Sequence, residues 1–420
     1  MKDWTEFGLR PLPVMSARSR VVSVPPIQGA IDALYAECNA ALAVPLRGIT
    51  TDGNVVPGLF GVQRGEVDAA PIRDAASAFL QSLDPAVRAT AVFPLDGTER
   101  RDWFNVHMNF FRHGVMLENL PLVQRELGLD MLRATLSARG FTQVRNIMRL
   151  NEVLALASNS RDEFGEWPYF ISIFGTPSAD EPWGWQFDGH HINVNCFVFG
   201  NEIVLTPTFM GSEPCRVTSG PFAGVEVFAP EQQVGIDLIR SLDADQHDTA
   251  VIYPSIMPGT LPKHLEHWID GRMQAGAFKD NIVLPYQGLR ADSLSDAQRR
   301  LLRNAIGAYV GWGRDDHAVV RTAEVDAHLD DTWFSWFGGT GDDDPFYYRI
   351  HSPVILIEFD HHPGVVFDNE QPTHHHIHTI LRTPNGGDYG TDLLARHHAE
   401  FDHTHADHHH ADHHHADHHH

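Results

Sequence analysis

Between His351 and His378 the chain places seven of its 29 histidines, beside Glu358, Asp360, Asp368 and Glu370. Imidazole nitrogen and carboxylate oxygen are ligands that zinc, iron, nickel and copper accept. Two spacings carry the signal, Glu358-x-Asp360-His361 and His376-x-His378. On an extended strand alternate side chains share a face. Val354, Leu356, Glu358 and Asp360 then point one way, and Ile355, Ile357, Phe359 and His361 the other. On the second run His376, His378, Ile380 and Arg382 share a face. Three protein ligands with an open position let a metal polarise a carbonyl or activate water. His376 and His378 are the expected ligands, with His191 or Glu358 completing the set and His361 a further candidate. Asp360 is the expected orienter or base, while Arg382 and the loop after it would bind an anionic or carbonyl group. A polar cluster in which Glu358 and Asp360 pair with Arg349 and Arg382, and an organic-substrate site without metal, stand as alternatives.

A second stretch with chemistry in it runs from Trp183 to Asn195. Trp183, Trp185 and Gln186 offer planar faces and hydrogen-bonding groups for a small organic ligand, and His190 joins them. Core packing explains the tryptophans equally well. His191, Asn193 and Asn195 share the face opposite Ile192, Val194 and Cys196. The segment 100–114 mixes Arg101, Asp102, Asn105, His107 and Arg112 with aromatic residues, and reads as a helix with one wet face rather than a cleft.

Short β-branched runs bounded by Pro, Gly and Asn must carry these groups. Strands are expected at Tyr169–Phe174, His190–Phe199, Glu202–Thr206, Asp331–Phe337, Phe346–His351, Val354–Asp360 and His376–Thr383, with a tight turn at Gly200-Asn201. Helices are expected near Gln28–Ala43, Leu120–Arg139 and Thr142–Ser158, with Gly140 stopping the second, and within 230–255 and 294–329. Ser295-Asp-Ala-Gln298 matches a capping box. The pattern predicts one α+β domain over 1–396, helical at about 71–160 and strand-rich at about 165–230 and 331–390, with a mixed or antiparallel sheet and surrounding helices. No internal repeat of domain size is evident.

A formal charge of −24 argues against nucleic-acid binding and against an anionic membrane surface, and suits attraction of cations. The N-terminus has no apolar signal core and no run is long enough to span a bilayer, so a cytoplasmic protein is expected. Cys38, Cys196 and Cys215 show neither CxxC spacing nor a disulfide framework. From His397 onward thirteen histidines occur, with ADHHH three times. This 397–420 tail has little to bury, reads as disordered, and would collect zinc, nickel or copper.

The strings SIFGTPSADEPWGWQFDGHHINVN, TPTFMGSEP, HSPVILIEFDH and HIHTILRTPNGGDYGTDLL resemble the family catalogued as domain of unknown function 3500, from about Gly48 to Leu394. The resemblance includes Trp183, Trp185, His190, His191, Glu358, Asp360, His361, His376, His378, Arg382, Asn385 and Asp388, and so adds Asn385 as a substrate-binding candidate and Asp388 as a catalytic one. Taken together, the residues predict a metal-dependent enzyme acting on a small organic substrate, with zinc the expected ion and iron, copper or nickel the alternatives. Hydrolysis is preferred to oxidation, because neither a dinucleotide fingerprint nor a haem or flavin motif occurs. A non-catalytic metal-delivery protein is the competing class, with the tail as its motive.

Overall fold

A computed structural model describes residues 25–60, 67–107, 112–161, 163–267 and 269–398, so residues 399–420 of the histidine-rich tail lie outside the described part. Thirteen strands form one mixed sheet. They are β1 (Val92–Phe93), β2 (Val115–Met116), β3 (Tyr169–Phe174), β4 (Trp183–Gly189), β5 (Ile192–Phe199), β6 (Glu202–Val204) and β7 (Thr208–Ser212). The second group is β8 (Val251–Tyr253), β9 (Leu289–Arg290), β10 (Trp333–Gly338), β11 (Phe346–His351), β12 (Leu356–His362) and β13 (Thr373–Arg382). Along the sheet the order is β1-β3-β4-β5-β7-β13-β12-β11-β10-β8, with β2, β6 and β9 on side branches. Helices α1 (Pro25–Ala43), α2 (Ala70–Ser82), α3 (Pro85–Ala91), α4 (Leu122–Thr135) and α5 (Ala138–Ser158) precede β3 or flank β1. Helices α6 (Ala229–Arg240), α7 (Ala244–Ala250), α8 (Asp296–Val310) and α9 (Asp315–Ala327) belong to the second group. The class is α+β.

The two faces of the sheet differ in what covers them. Ile357, Phe359 and Leu381 belong to the large core that also holds Leu132, Met148, Leu238 and Leu302 from the helices. On the opposite face Ile380 and Phe209 pack with Leu34 and Cys38 of α1 and with Trp103, Phe104, Met273 and Phe278 from irregular chain. Strand alternation produces this split, since Ile380 and Leu381 are neighbours in sequence.

Against the expectation of no repeat, the element order occurs twice. α3 leads into β1, which runs parallel to β3, and α7 leads into β8, parallel to β10. β2 pairs Val115 with Ile171 and Met116 with Phe170, while β9 pairs Leu289 with Phe334 and Arg290 with Trp333. Small details coincide. Gln124 donates to the Ser82 carbonyl at 2.6 Å and Gln298 to the Ser241 carbonyl at 2.9 Å. Antiparallel meanders then follow, β3-β4-β5 and β10-β11-β12, and β7 and β13 close the halves. β7 and β13 pair with each other at the centre of the sheet, which places an approximate twofold relation between them.

Three local expectations are corrected. Gly140 does not stop a helix: the break falls at Leu136, Ser137 caps α5, and Gly140 sits inside it because a Cβ there would lie 2.2 Å from the Trp312 carbonyl oxygen. In the 100–114 segment only Thr98–Arg101 is helical, as a single 3-10 turn, among the described residues. Trp183–Gly189 is strand β4 throughout, buried at every position. Ser295 and Gln298 do form the reciprocal capping box.

Candidate metal centre

His376 and His378 lie on β13, two residues apart and so on one face, as alternation requires. His191 arrives from the other half. The chain reverses between β4 and β5, where His191 takes a left-handed conformation with φ 62° and its carbonyl accepts from Gly211 N at 2.8 Å. Gly211 on β7 stands directly across from His378 in the β7–β13 register. A Cβ at Gly211 would lie 2.9 Å from His378 Cδ2 and 3.2 Å from His191 Cδ2. The missing side chain is therefore the space the two imidazoles share.

The three rings converge through one edge. His376 Nε2 lies 3.0 Å from His378 Nε2 and 3.3 Å from His191 Nε2. One nitrogen from each residue lies within 4.8 Å of both others, and all three residues are buried. The His191 and His378 ring centroids are 5.1 Å apart. Nitrogens on a tetrahedral zinc at about 2.0–2.1 Å are themselves about 3.3 Å apart, so the set already has the spacing of a ligand shell. His376 Nδ1 is 2.6 Å from the Pro363 carbonyl, which only accepts, so Nδ1 holds the proton and Nε2 presents its lone pair. Burial first, and the neighbouring imidazoles second, hold His191 and His378 well below the ordinary histidine range. Neutral imidazoles are the form a metal takes. Three buried ring nitrogens turned on one another repel unless a proton or a cation lies among them.

Around the triad stands a second layer. The His362 ring lies 3.9 Å from that of His378, tilted by 39°, and its Nε2 is 2.9 Å from Asp360 Oδ2. Asp360 is gripped by Arg272, through the backbone N at 2.9 Å and Nε at 2.7 Å. Burial pushes the Asp360 carboxyl up, but Arg272 and His362 outweigh it and the net shift is downward. Burial pushes His362 down to about 4 against the pull of Asp360. Gly271 makes this approach possible: its φ is +59° and a Cβ would lie 2.5 Å from both Asp360 Oδ2 and His362 Cε1. On the other side the His190 ring lies 3.9 Å from that of His191 and its Nδ1 is 2.8 Å from Asn151 Oδ1. The triad, His190 and His362 open onto a cavity of about 220 Å³ that Glu213 also borders.

Not every residue expected here is part of this group. Glu358 is two positions from Asp360, but its carboxylate accepts from Gln274 N at 2.9 Å, Ala275 N at 2.8 Å and Tyr347 Oη at 2.5 Å. His361 points to the opposite face, where Nδ1 accepts from Phe346 N and Nε2 meets Gln232 Oε1 at 2.9 Å. Arg382 is fully buried between Asp280 and Asp388, 2.7 Å and 2.9 Å away, and does not border the cavity. Asp388 also accepts from Thr383 N at 2.7 Å, and Asn385 ties Val56 N to the Pro353 carbonyl. These three anchor the turn after β13. Trp183 and Trp185 pack in the helix-side core, and Gln186 donates to Asn195 Oδ1 at 2.8 Å. Of the aromatic stretch, His190 and His191 alone reach the cavity. His362 and Glu213 belong to its wall without having been singled out from sequence.

The model of one family, described as Protein of unknown function (DUF3500), matches residues 65–391. No curated protein and no solved structure matches the chain. Among the described residues no helix is long and apolar enough to cross a membrane.

Proposed function

The chain belongs to the DUF3500 family, and we propose that it is a metal-dependent enzyme in which His191, His376 and His378 hold a divalent ion and a small organic substrate meets that ion from the adjoining cavity. One observation carries the reading: three buried imidazole nitrogens at ligand-shell spacing face a cavity of about 220 Å³. Zinc suits an all-nitrogen set with an open fourth position, and supplies a water acidified toward neutrality or a polarised carbonyl when bound. Hydrolysis is therefore preferred. Iron oxygen chemistry is favoured less, because its usual set is two histidines and a carboxylate, and Glu358 is committed to two backbone amides and Tyr347. His362, held by Asp360, is placed to accept or return a proton at the cavity wall. Arg272 keeps Asp360 ionised, and so keeps His362 oriented.

The test is metal analysis of a chain ending at residue 396, which removes all thirteen competing tail histidines. About one zinc per chain is expected after dialysis, falling below about 0.2 in His378→Ala. A parent protein that takes up none of zinc, iron, copper or nickel refutes the reading. Equal metal in parent and variant refutes the ligand assignment.

A further inference from the structure

The cavity beside the triad also has walls that select a ligand. Leu34, Val106, Phe164, Ile269, Pro363 and Val366 supply apolar surface, with Asn105 and His107 as further polar residues of the wall. Among its described lining residues there is no lysine or arginine, and Glu213 is the one carboxylate. That carboxylate is already engaged, accepting from Val365 N at 2.8 Å, Val366 N at 3.2 Å and Phe367 N at 3.3 Å. The nearby cations are spent as well: Arg272 on Asp360, and Arg112 on Asp188 at 2.9 Å. A charged group lodged away from the metal would lose its hydration and gain no counter-charge, which excludes charged ligands from that part of the cavity.

Size narrows the choice further. An apolar cavity of about 150 Å³ accepts benzene, so about 220 Å³ accommodates a single ring with a short substituent. We infer that the substrate is a compact, uncharged molecule whose apolar body is of single-ring size, with one polar function turned toward His191, His376 and His378. This rests on the proposed metal site only for the placement of the polar function. The apolar walls are independent of any metal.

The experiment uses the full chain, stripped of metal, with toluene and benzoate as probes read by calorimetry. Toluene is expected to bind at one site, at least 10-fold tighter than benzoate. Leu34→Trp and Val366→Phe each fill the cavity, and each is expected to abolish toluene binding while the protein remains folded by circular dichroism. Absence of toluene binding, a benzoate affinity equal to that of toluene, or toluene binding that survives in whichever filled variants fold overturns the inference. Zinc uptake by the full chain is measured beside it, with His378→Ala expected to bind one ion fewer. Toluene binding without that difference sinks the metal reading and leaves the ligand class standing. The difference without toluene binding does the reverse.

Discussion

At the scale of single residues the centre depends on side chains that are absent as much as on those present. Gly211 carries no positive φ, yet a methyl there would press on His378, on His191 and, at 2.9 Å, on the Ile377 carbonyl. Gly211→Ala is expected to destabilise by about 1–3 kcal/mol, as overpacking does, and to weaken zinc binding at least 10-fold because two ligands move together. Dialysis against buffered zinc checks it, and unchanged affinity would show that the rings are free to shift. Arg382 belongs to a different piece of chemistry. It neutralises Asp280 and Asp388, and burial still pushes the Asp388 carboxyl up to about 6. Arg382→Met leaves a buried carboxylate without its cation, a loss of about 3–5 kcal/mol, while metal uptake by the folded fraction stays at the parent level. A loss under about 1 kcal/mol would contradict that structural role. The histidine pair on β13 was legible because alternation on a strand needs no tertiary information. His362 shares the Asp360 face by the same rule, but adjacency drew attention to His361, which the β11 and α6 side claims instead.

At the scale of elements, what was legible is what local chemistry determines. The Ser295 box, the β3 and β11 bounds and the pairing of β12 with β13 follow from caps, β-branched runs and turns. Gly140 reads as a helix stop because its true reason is tertiary: the Trp312 loop approaches α5 too closely for any Cβ. β4 carries the strand period, with Trp183, Trp185 and Phe187 alternating with Gly184, Gln186 and Asp188, but both its faces are buried and its aromatic residues read equally as a ligand wall. Helix α9 carries a titrating group in such a position. Burial first, and Arg321 next, push His317 down to about 4, against about 6.5 in the unfolded chain. The folded state then binds fewer protons than the unfolded state between those values, so the fold loses stability as pH falls from about 6.5 toward about 4. His317→Leu removes this share. The acid-induced drop in unfolding free energy between pH 7 and pH 4.5 is expected to shrink by about 2–3 kcal/mol. Urea midpoints of the two proteins at both pH values measure it, and parallel drops would refute the assignment.

At the scale of the molecule the duplicated half explains why one metal centre sits where it does. His191 comes from the turn of the first meander and His376 and His378 from the closing strand of the second, so the site straddles the β7–β13 seam. Seams between equivalent units leave concave space that neither unit fills alone. The equivalence has a sequence trace, Ser-Leu-Asp followed after five residues by Thr-Ala-Val, at Ser82–Val92 and again at Ser241–Val251. It escapes a search for long repeats because the remaining positions diverged and the halves differ in their irregular segments. Backbone geometry diverged least. Gly114 and Gly288 have φ +88° and +94°, and a Cβ would lie 2.4 Å from the Ile171 carbonyl oxygen in one and 2.2 Å from the Phe334 carbonyl oxygen in the other. Ile171 pairs with Val115 and Phe334 with Leu289, the residue after each glycine. Gly114→Ala and Gly288→Ala should therefore both destabilise, each by about 2 kcal/mol or more from the left-handed φ and the blocked strand approach. Their costs should agree within about 1 kcal/mol by urea unfolding. The double variant should cost the sum, since the two sites lie on opposite wings of the sheet and share no partner. A neutral result at either glycine would mean that the two halves share a chain path without sharing the contacts that fix it.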